Sequence, residues 1–294
     1  ELGQLNTAVK SYEKALAIKT DFADAHYNLG ITLQGLGQLD IAVKSYEKAL
    51  TIKPDYAEAF NNLCNTLKEL GQLDTAVKSY EQVLAINPDF KEAHNNLGVT
   101  LHELGQHGAA VECYEQALAI NPDYVDAHYN LGNVLNDLGQ YDAAVKSYEQ
   151  ALAINPDYAD GHNNLGFALK ELDQLDAAVK SYEQAITINP DFADAHNNLG
   201  NTLKELGQHD DAVKCFEKAL AIKPDYAEVR NNLGFILKEL GQHDAAVKCF
   251  EKTLAIKPDY AEGHNNLGLT LMELGQLDDA VNSFEKALAI NPEF

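Results

Sequence analysis

Apolar residues along this sequence return at steps of three and four, break at a glycine, resume, and break again at a proline. In the segment from Asp55 to Pro88, Ala59, Leu63, Leu67 and Leu70 fall on one face of a helix, and Gly71 interrupts the run. A second run, starting near Asp74, carries Ala76, Val77, Tyr80, Val83 and Leu84 and stops before Pro88, whose ring cannot continue a helix. Asp55 with Glu58 three residues later has the spacing of a capping box, so Asp55 is the expected cap of the first helix. The unit is therefore a helix hairpin. Neither stripe can be hidden inside one hairpin, which forces neighbouring hairpins to stack.

The hairpin pattern recurs through the chain. Pro54, Pro88, Pro122, Pro156, Pro190, Pro224, Pro258 and Pro292 stand 34 residues apart, with Thr20 where a further proline would fall. This predicts a single array over 1–294. Residues 1–20 supply a partial unit, the second helix only; the full units are 21–54, 55–88, 89–122, 123–156, 157–190, 191–224, 225–258 and 259–292. Glu293 and Phe294 begin a further unit or belong to a tag. Opening in mid-repeat, the sequence reads as a piece of a longer chain.

The repeated residues resemble the tetratricopeptide repeat family. The resemblance rests on the period, on "NLG" in the first helix, on hairpin glycines such as Gly37, Gly71 and Gly105, and on alanines early in the second helix such as Ala42, Ala76 and Ala110. An aromatic four residues after each alanine (Tyr46, Tyr80, Tyr114) and the closing proline complete it. It implies an all-α fold, a right-handed superhelical α-solenoid of 34-residue helix-turn-helix units whose first helices line the concave wall. Two columns depart from the family. Histidine (with Phe60 and Arg230) stands where tryptophan is common, and Leu33, Leu67 and Leu101 stand where tyrosine is; both are expected to change core filling. Cys64 replaces the glycine of Gly30 and Gly98, implying a looser helix approach there.

The first helices hold doubled asparagines, as in "AHNNLG" at Ala93 to Gly98. Each asparagine costs roughly 0.5 to 0.7 kcal/mol of helix propensity against alanine. The second of the pair never varies: Asn28, Asn62, Asn96, Asn130, Asn164, Asn198, Asn232 and Asn266. The first gives way to Tyr27 and Tyr129. A carboxamide both donates and accepts, so a row of them could bond the backbone of an extended peptide whatever its sequence. The array also resembles the superhelical tetratricopeptide region of the O-GlcNAc transferases, whose groove has such an asparagine ladder. The alternative is that these side chains bond between neighbouring first helices and stitch the stack. An adjacent column runs Ile31, Asn65, Val99, Asn133, Phe167, Asn201, Phe235, Leu269. Its amides Asn65, Asn133 and Asn201 join the candidate peptide site, as do Phe167 and Phe235 as pockets for ligand side chains. Inheritance from paired duplication of units explains the alternation equally well.

Charge narrows the partners. With 45 acidic against 22 basic residues the formal charge is −23, and Arg230 is the only arginine. A phosphate backbone is repelled by such a chain, so nucleic acid is excluded as an expected partner. Rows of acids, Asp24 to Glu262 and Glu69 to Glu273, edge the asparagine face and favour neutral or basic peptides. The family's clamp for a terminal carboxylate needs basic residues where this chain has Asp24 and Asn61. No apolar run is long enough for a membrane span.

Cys113, Cys215 and Cys249 share a column with Ser45, Ser79 and Ser147, so they read as small spacers; reduced thiols and an intracellular, cytoplasmic setting follow. Six histidines repeat at one column and are set too far apart to share an ion, which points to packing. His107, His209 and His243 fall in hairpin turns and are expected to be solvated. No nucleophile or base departs from the repeat, so no enzyme activity, metal or cofactor is expected. The expected function is a scaffold that binds an extended peptide. The alternatives are self-assembly through uncapped terminal helices, or the substrate-recognition arm of a larger enzyme such as a glycosyltransferase.

Overall fold

The structure, a computed structural model, describes residues 2–293. Phe294, read from sequence as part of a further unit or tag, lies outside the described residues. Every regular element among the described residues is an α-helix, and none is long and apolar enough to cross a membrane. The helices gather into two compact units, Glu1–Ile154 and Asn155–Phe294. The first contains α1 (Leu2–Ile18), α2 (Ala23–Gly35), α3 (Leu39–Ile52), α4 (Ala57–Glu69), α5 (Leu73–Ile86), α6 (Lys91–Glu103), α7 (His107–Ile120), α8 (Val125–Asp137) and α9 (Tyr141–Ile154). The second contains α10 (Ala159–Glu171), α11 (Leu175–Ile188), α12 (Ala193–Glu205), α13 (His209–Ile222), α14 (Ala227–Glu239), α15 (His243–Ile256), α16 (Ala261–Glu273) and α17 (Leu277–Ile290). Each unit is an α-solenoid in which a helix packs on its hairpin partner and on the next hairpin.

The turn inside each hairpin follows from its glycine. Gly71 adopts φ 72°, and the chain closes with Gly71 N–H on the Lys68 carbonyl at 2.8 Å and Gln72 N–H on the Leu67 carbonyl at 2.9 Å. This is the two-bond arrangement that ends a helix through a left-handed residue. Asp173 occupies the same place at φ 59° and keeps both bonds, to Lys170 and Leu169 at 2.9 Å each.

The start of the first helix corrects the sequence reading. Helix α4 begins at Ala57 with Tyr56 in the capping place and no side-chain cap. Asp55 belongs to the preceding turn with Pro54, two residues ahead of the helix, so the capping box does not form. At Pro122 and Pro190, both preceded by asparagine, that side chain holds the turn: Asn121 Oδ1 accepts from Asp123 N–H at 3.2 Å, and Asn189 Oδ1 from Asp191 N–H at 3.2 Å.

The core is built on one glycine–aromatic contact per hairpin. Tyr46, Tyr80, Tyr114 and Tyr148 in the first unit, and Tyr182, Phe216 and Phe250 in the second, are fully buried. A methyl on Gly30 would fall 2.5 Å from Tyr46 Cε1, and one on Gly200 would fall 2.7 Å from Phe216 Cε1. Cys64 replaces that glycine opposite Tyr80, and α4 and α5 approach less closely than the other hairpin pairs, as the sequence implied.

The histidine column packs and also ties. His94, His128, His162 and His196 each donate Nε2–H to the carbonyl of the proline six residues earlier, at 2.9, 2.8, 3.0 and 3.1 Å. A carbonyl can only accept, which fixes the ring nitrogen as donor. Arg230 makes the same tie to Pro224. The hairpin-turn histidines are not solvated as expected. His107, His209 and His243 are half-buried; Nδ1 of His107 is buried without a hydrogen bond, and Nδ1 of His243 lies 3.2 Å from Glu273 Oε2. They are the first residues of α7, α13 and α15, in the place that Leu39, Leu73 and Leu175 fill elsewhere, and so lie folded onto the hairpin.

Candidate functional site

The first helix of each repeat carries the doubled asparagines near its middle, where the helix leans on the first helix of the repeat before it. That placement decides their bonding. In the first unit Asn62 Nδ2 donates to Tyr27 Oη at 3.2 Å, Asn96 to Asn61 Oδ1 at 3.2 Å, and Asn130 to Asn95 Oδ1 at 3.0 Å. In the second, Asn198 donates to Asn163 at 3.0 Å, Asn232 to Asn197 at 3.5 Å, and Asn266 to Asn231 at 3.1 Å. Short bonds within a pair join these into chains, with Asn95 donating to Asn96 at 3.3 Å and Asn163 to Asn164 at 3.0 Å.

The expectation of an asparagine row standing clear of its neighbours therefore needs correcting. Asn28, Asn62, Asn96, Asn130, Asn164, Asn198 and Asn232 are half-buried and Asn266 is buried. The stitching alternative accounts for the sequence pattern. The invariant column supplies the donor, whereas the variable column supplies an acceptor, a task that a phenol performs as well as an amide. Tyr27 is accordingly drawn into the row, where burial first and Glu58 second push its phenol up.

The neighbouring column divides by residue type. Asn65 Oδ1 accepts from Tyr80 Oη at 2.5 Å and Asn133 Oδ1 from Tyr148 Oη at 2.8 Å, so these amides also satisfy core phenols. Asn201 accepts from Asn232 at 3.2 Å and contacts Asn197 at 3.4 Å. Phe167 is 40% exposed and Ile31 42% exposed on the same first-helix face. Phe235 is half-buried, with the ammonium groups of Lys204 and Lys238 each 5.4 Å from its ring centre.

The acidic rows are partly answered from one repeat earlier. Lys68 pairs with Glu103 at 3.2 Å, Lys170 with Glu205 at 2.9 Å and Lys238 with Glu273 at 3.9 Å, while Gln34 donates to Glu69 at 2.7 Å. In the other row, Lys257 lies 3.0 Å from Glu228 and holds its carboxyl below the usual range. Burial, then Asp194, pushes the Tyr226 phenol up to about 12.

Hollows also lie away from the asparagines. One of about 470 Å³ opens between α11 and α13, lined by Ile186, Thr187, His196, Leu199 and Cys215, and one of about 630 Å³ lies between α1 and α3 around Leu16, His26, Ile41 and Ser45. They recur at matching repeat positions. The serine and cysteine column faces them, and burial pushes the thiols of Cys113 and Cys215 up to about 11.

Family models for this repeat match nearly everywhere: one described as TPR repeat covers residues 1–37, 64–105, 100–137, 132–173 and 169–207, and one described as tetratricopeptide repeat covers 191–259. Further tetratricopeptide models cover 23–56, 261–294 and 45–78. The chain belongs to the tetratricopeptide repeat family. Solved structures agree on the fold of this tetratricopeptide array. A crystal structure of MamA is 26% identical with TM-score 0.53, covering 55% of this chain and 95% of that one. YrrB, described as a TPR protein with an unusual peptide-binding site, is 22% identical with TM-score 0.55, over 64% of this chain and 96% of its own. A crystal structure of the APC/C hetero-tetramer Cut9-Hcn1 is 17% identical with TM-score 0.62, over 97% of this chain and 56% of that one. A comparison with curated proteins finds no match. Tetratricopeptide arrays of this kind support a protein-interaction scaffold.

One cluster escaped the sequence reading. His102, His107 and Asp137 in the first unit bring three ligand atoms within 4.8 Å of one another. Its signal was present, since His102 lies five residues before His107 and a single acid lies one repeat onward, but no other repeat of the array has both histidines.

Proposed function

We propose that the array binds an extended peptide along its first-helix face. The observation that carries this is the half-used bonding capacity of the asparagine row. A carboxamide has two N–H groups and two acceptor sites, and the stitches found take one donor from each of Asn96, Asn130 and Asn198. Stitching thus fixes the amides while leaving N–H and lone-pair capacity for a ligand backbone. Helices packed about 10 Å apart would meet an extended chain about every third residue at about 3.3 Å each. Phe167 and Ile31 would receive apolar side chains, and the acidic rows favour a neutral or basic segment. The free, high-pKa thiols suit a reducing, intracellular setting.

The test compares two variants of matched stability. Asn198→Ala with Asn232→Ala alters the row, whereas Gly200→Ala disturbs only the core. Fluorescence anisotropy with a labelled basic peptide and its acidic counterpart should show weaker binding for the asparagine variant alone, and a preference for the basic probe. Equal binding by the two variants would remove the proposal. A second reading, self-association, is favoured by Leu277, Val281 and Leu288 standing exposed on α17. Sedimentation over a range of concentrations distinguishes it, because it predicts a mass that rises with concentration.

A further inference from the structure

His102 sits in the last turn of α6, His107 opens α7, and Asp137 closes α8 in the following repeat. His102 Nε2 lies 2.6 Å from Asp137 Oδ2, and the two imidazole rings meet edge-on with centres 5.2 Å apart. Nδ1 of His107 is buried with no hydrogen-bond partner, which is a costly state for a polar atom. Elsewhere in the array the place of His102 is held by Lys68, Lys170 or Lys238, reaching a glutamate of the next repeat, and the place of His107 by Leu73 or Leu175. Histidine recurs at the place of His107 in His209 and His243, but this junction alone adds His102 and Asp137, an imidazole for an ammonium and an aspartate for a glutamate, so that three metal-ligating groups meet here.

We propose that His102, His107 and Asp137 form a binding site for a divalent transition-metal ion, which cross-links two adjacent repeats where the others use a lysine–glutamate pair. Two imidazole nitrogens and one carboxylate oxygen suit zinc, nickel or copper better than magnesium or calcium. Bonds of about 2.0 Å in a tetrahedral set place ligand atoms about 3.3 Å apart. The 2.6 Å His102–Asp137 pair must open slightly and the remaining distances must contract from within 4.8 Å. The surface position of the group allows this, with the Asp137 side chain 56% exposed. Three protein ligands leave one position for water.

The probe is Zn²⁺ alone, titrated into the whole chain by calorimetry, with Co²⁺ absorption reporting the coordination. One ion per chain is expected, with a rise in melting temperature that a chelator reverses. His102→Lys and His107→Leu install residues that the array carries at the same places, so folding is retained and checked by circular dichroism. Each should weaken binding about 10- to 100-fold, while His243→Leu, beside Glu273 in the second unit, should leave it unchanged. Absence of Zn²⁺ binding by the parent chain overturns the proposal. So does binding that survives His107→Leu, or that is lost with His243→Leu. None of these results depends on whether a peptide binds the asparagine face.

Discussion

Asn198 Nδ2 donates to Asn163 Oδ1 at 3.0 Å, joining α12 to α10 across one repeat, and Asn163 is itself buried. Removing either partner leaves the other with an unmet group, at about 1 to 3 kcal/mol. The gain in helix propensity from alanine, at most about 0.7 kcal/mol, offsets only part of this. Asn198→Ala and Asn163→Ala should each lower stability by about 1 kcal/mol net. The double variant should lose less than the sum. Urea denaturation of all four members of the cycle measures the coupling, and a value near zero would mean that the stitch contributes nothing.

Gly200 faces Phe216 so closely that a methyl group would fall 2.7 Å from the ring. Gly200→Ala should destabilise the second unit by about 1 to 3 kcal/mol through overpacking. Adding Phe216→Leu should return part of that loss by making room. If the single variant is as stable as the parent in thermal melts, the hairpin does not depend on this close approach of Gly200 to the Phe216 ring. Cys64 indicates how the array tolerates a side chain there, namely by a wider approach of α4 and α5.

Asp173 is the only non-glycine residue with positive φ among the described residues, at 59°. A left-handed conformation costs an L-residue roughly 1 to 2 kcal/mol, less for aspartate than for most. Asp173→Gly should therefore stabilise by up to about 1 kcal/mol, and Asp173→Asn by less. Chemical denaturation of the three chains side by side gives the order directly.

Alkaline pH should weaken the fold. Burial pushes the Cys64 thiol from its ordinary 9.0 up to about 12, and burial followed by neighbouring acids pushes the Tyr56 and Tyr124 phenols from 10.0 up to about 12. Tyr80 and Tyr182 move the same way. An acid whose pKa is higher in the folded state keeps its proton there after the unfolded chain has lost it. Its contribution is complete below the unfolded value and is lost as pH climbs through the folded one. Melting temperature should thus hold near pH 8 and fall steadily between about pH 9 and pH 12. Cys64→Ser should start that decline later. A melting temperature flat to pH 11 would contradict the burial of these groups.

Much of this architecture was readable in advance because a 34-residue period writes each structural need many times over. Glycine at the turn, glycine opposite an aromatic, and proline after the second helix all state local requirements, and the helices fall where those residues place them. Asp55 misled because a capping pattern records spacing, whereas the cap requires the aspartate to stand directly before the helix. The role of the asparagines was harder to read. Their partners lie 35 residues away, from Asn61 to Asn96 for example, and only the stacking of two repeats reveals that the variable column supplies the acceptor. His102, His107 and Asp137 were missed for the opposite reason, since what occurs once stands out only after the repeats have been superposed in space.

The asparagine–asparagine bonds between repeats share one sense. In both units the amide nitrogen belongs to the later repeat and the oxygen to the earlier, from Asn130 back to Asn95 and from Asn266 back to Asn231. A row of dipoles aligned in this way is not the same when traversed from its two ends. Were a peptide to thread along it as proposed, amino end first it would meet donors and acceptors in an order that the reversed polarity inverts, so the row itself would favour one orientation.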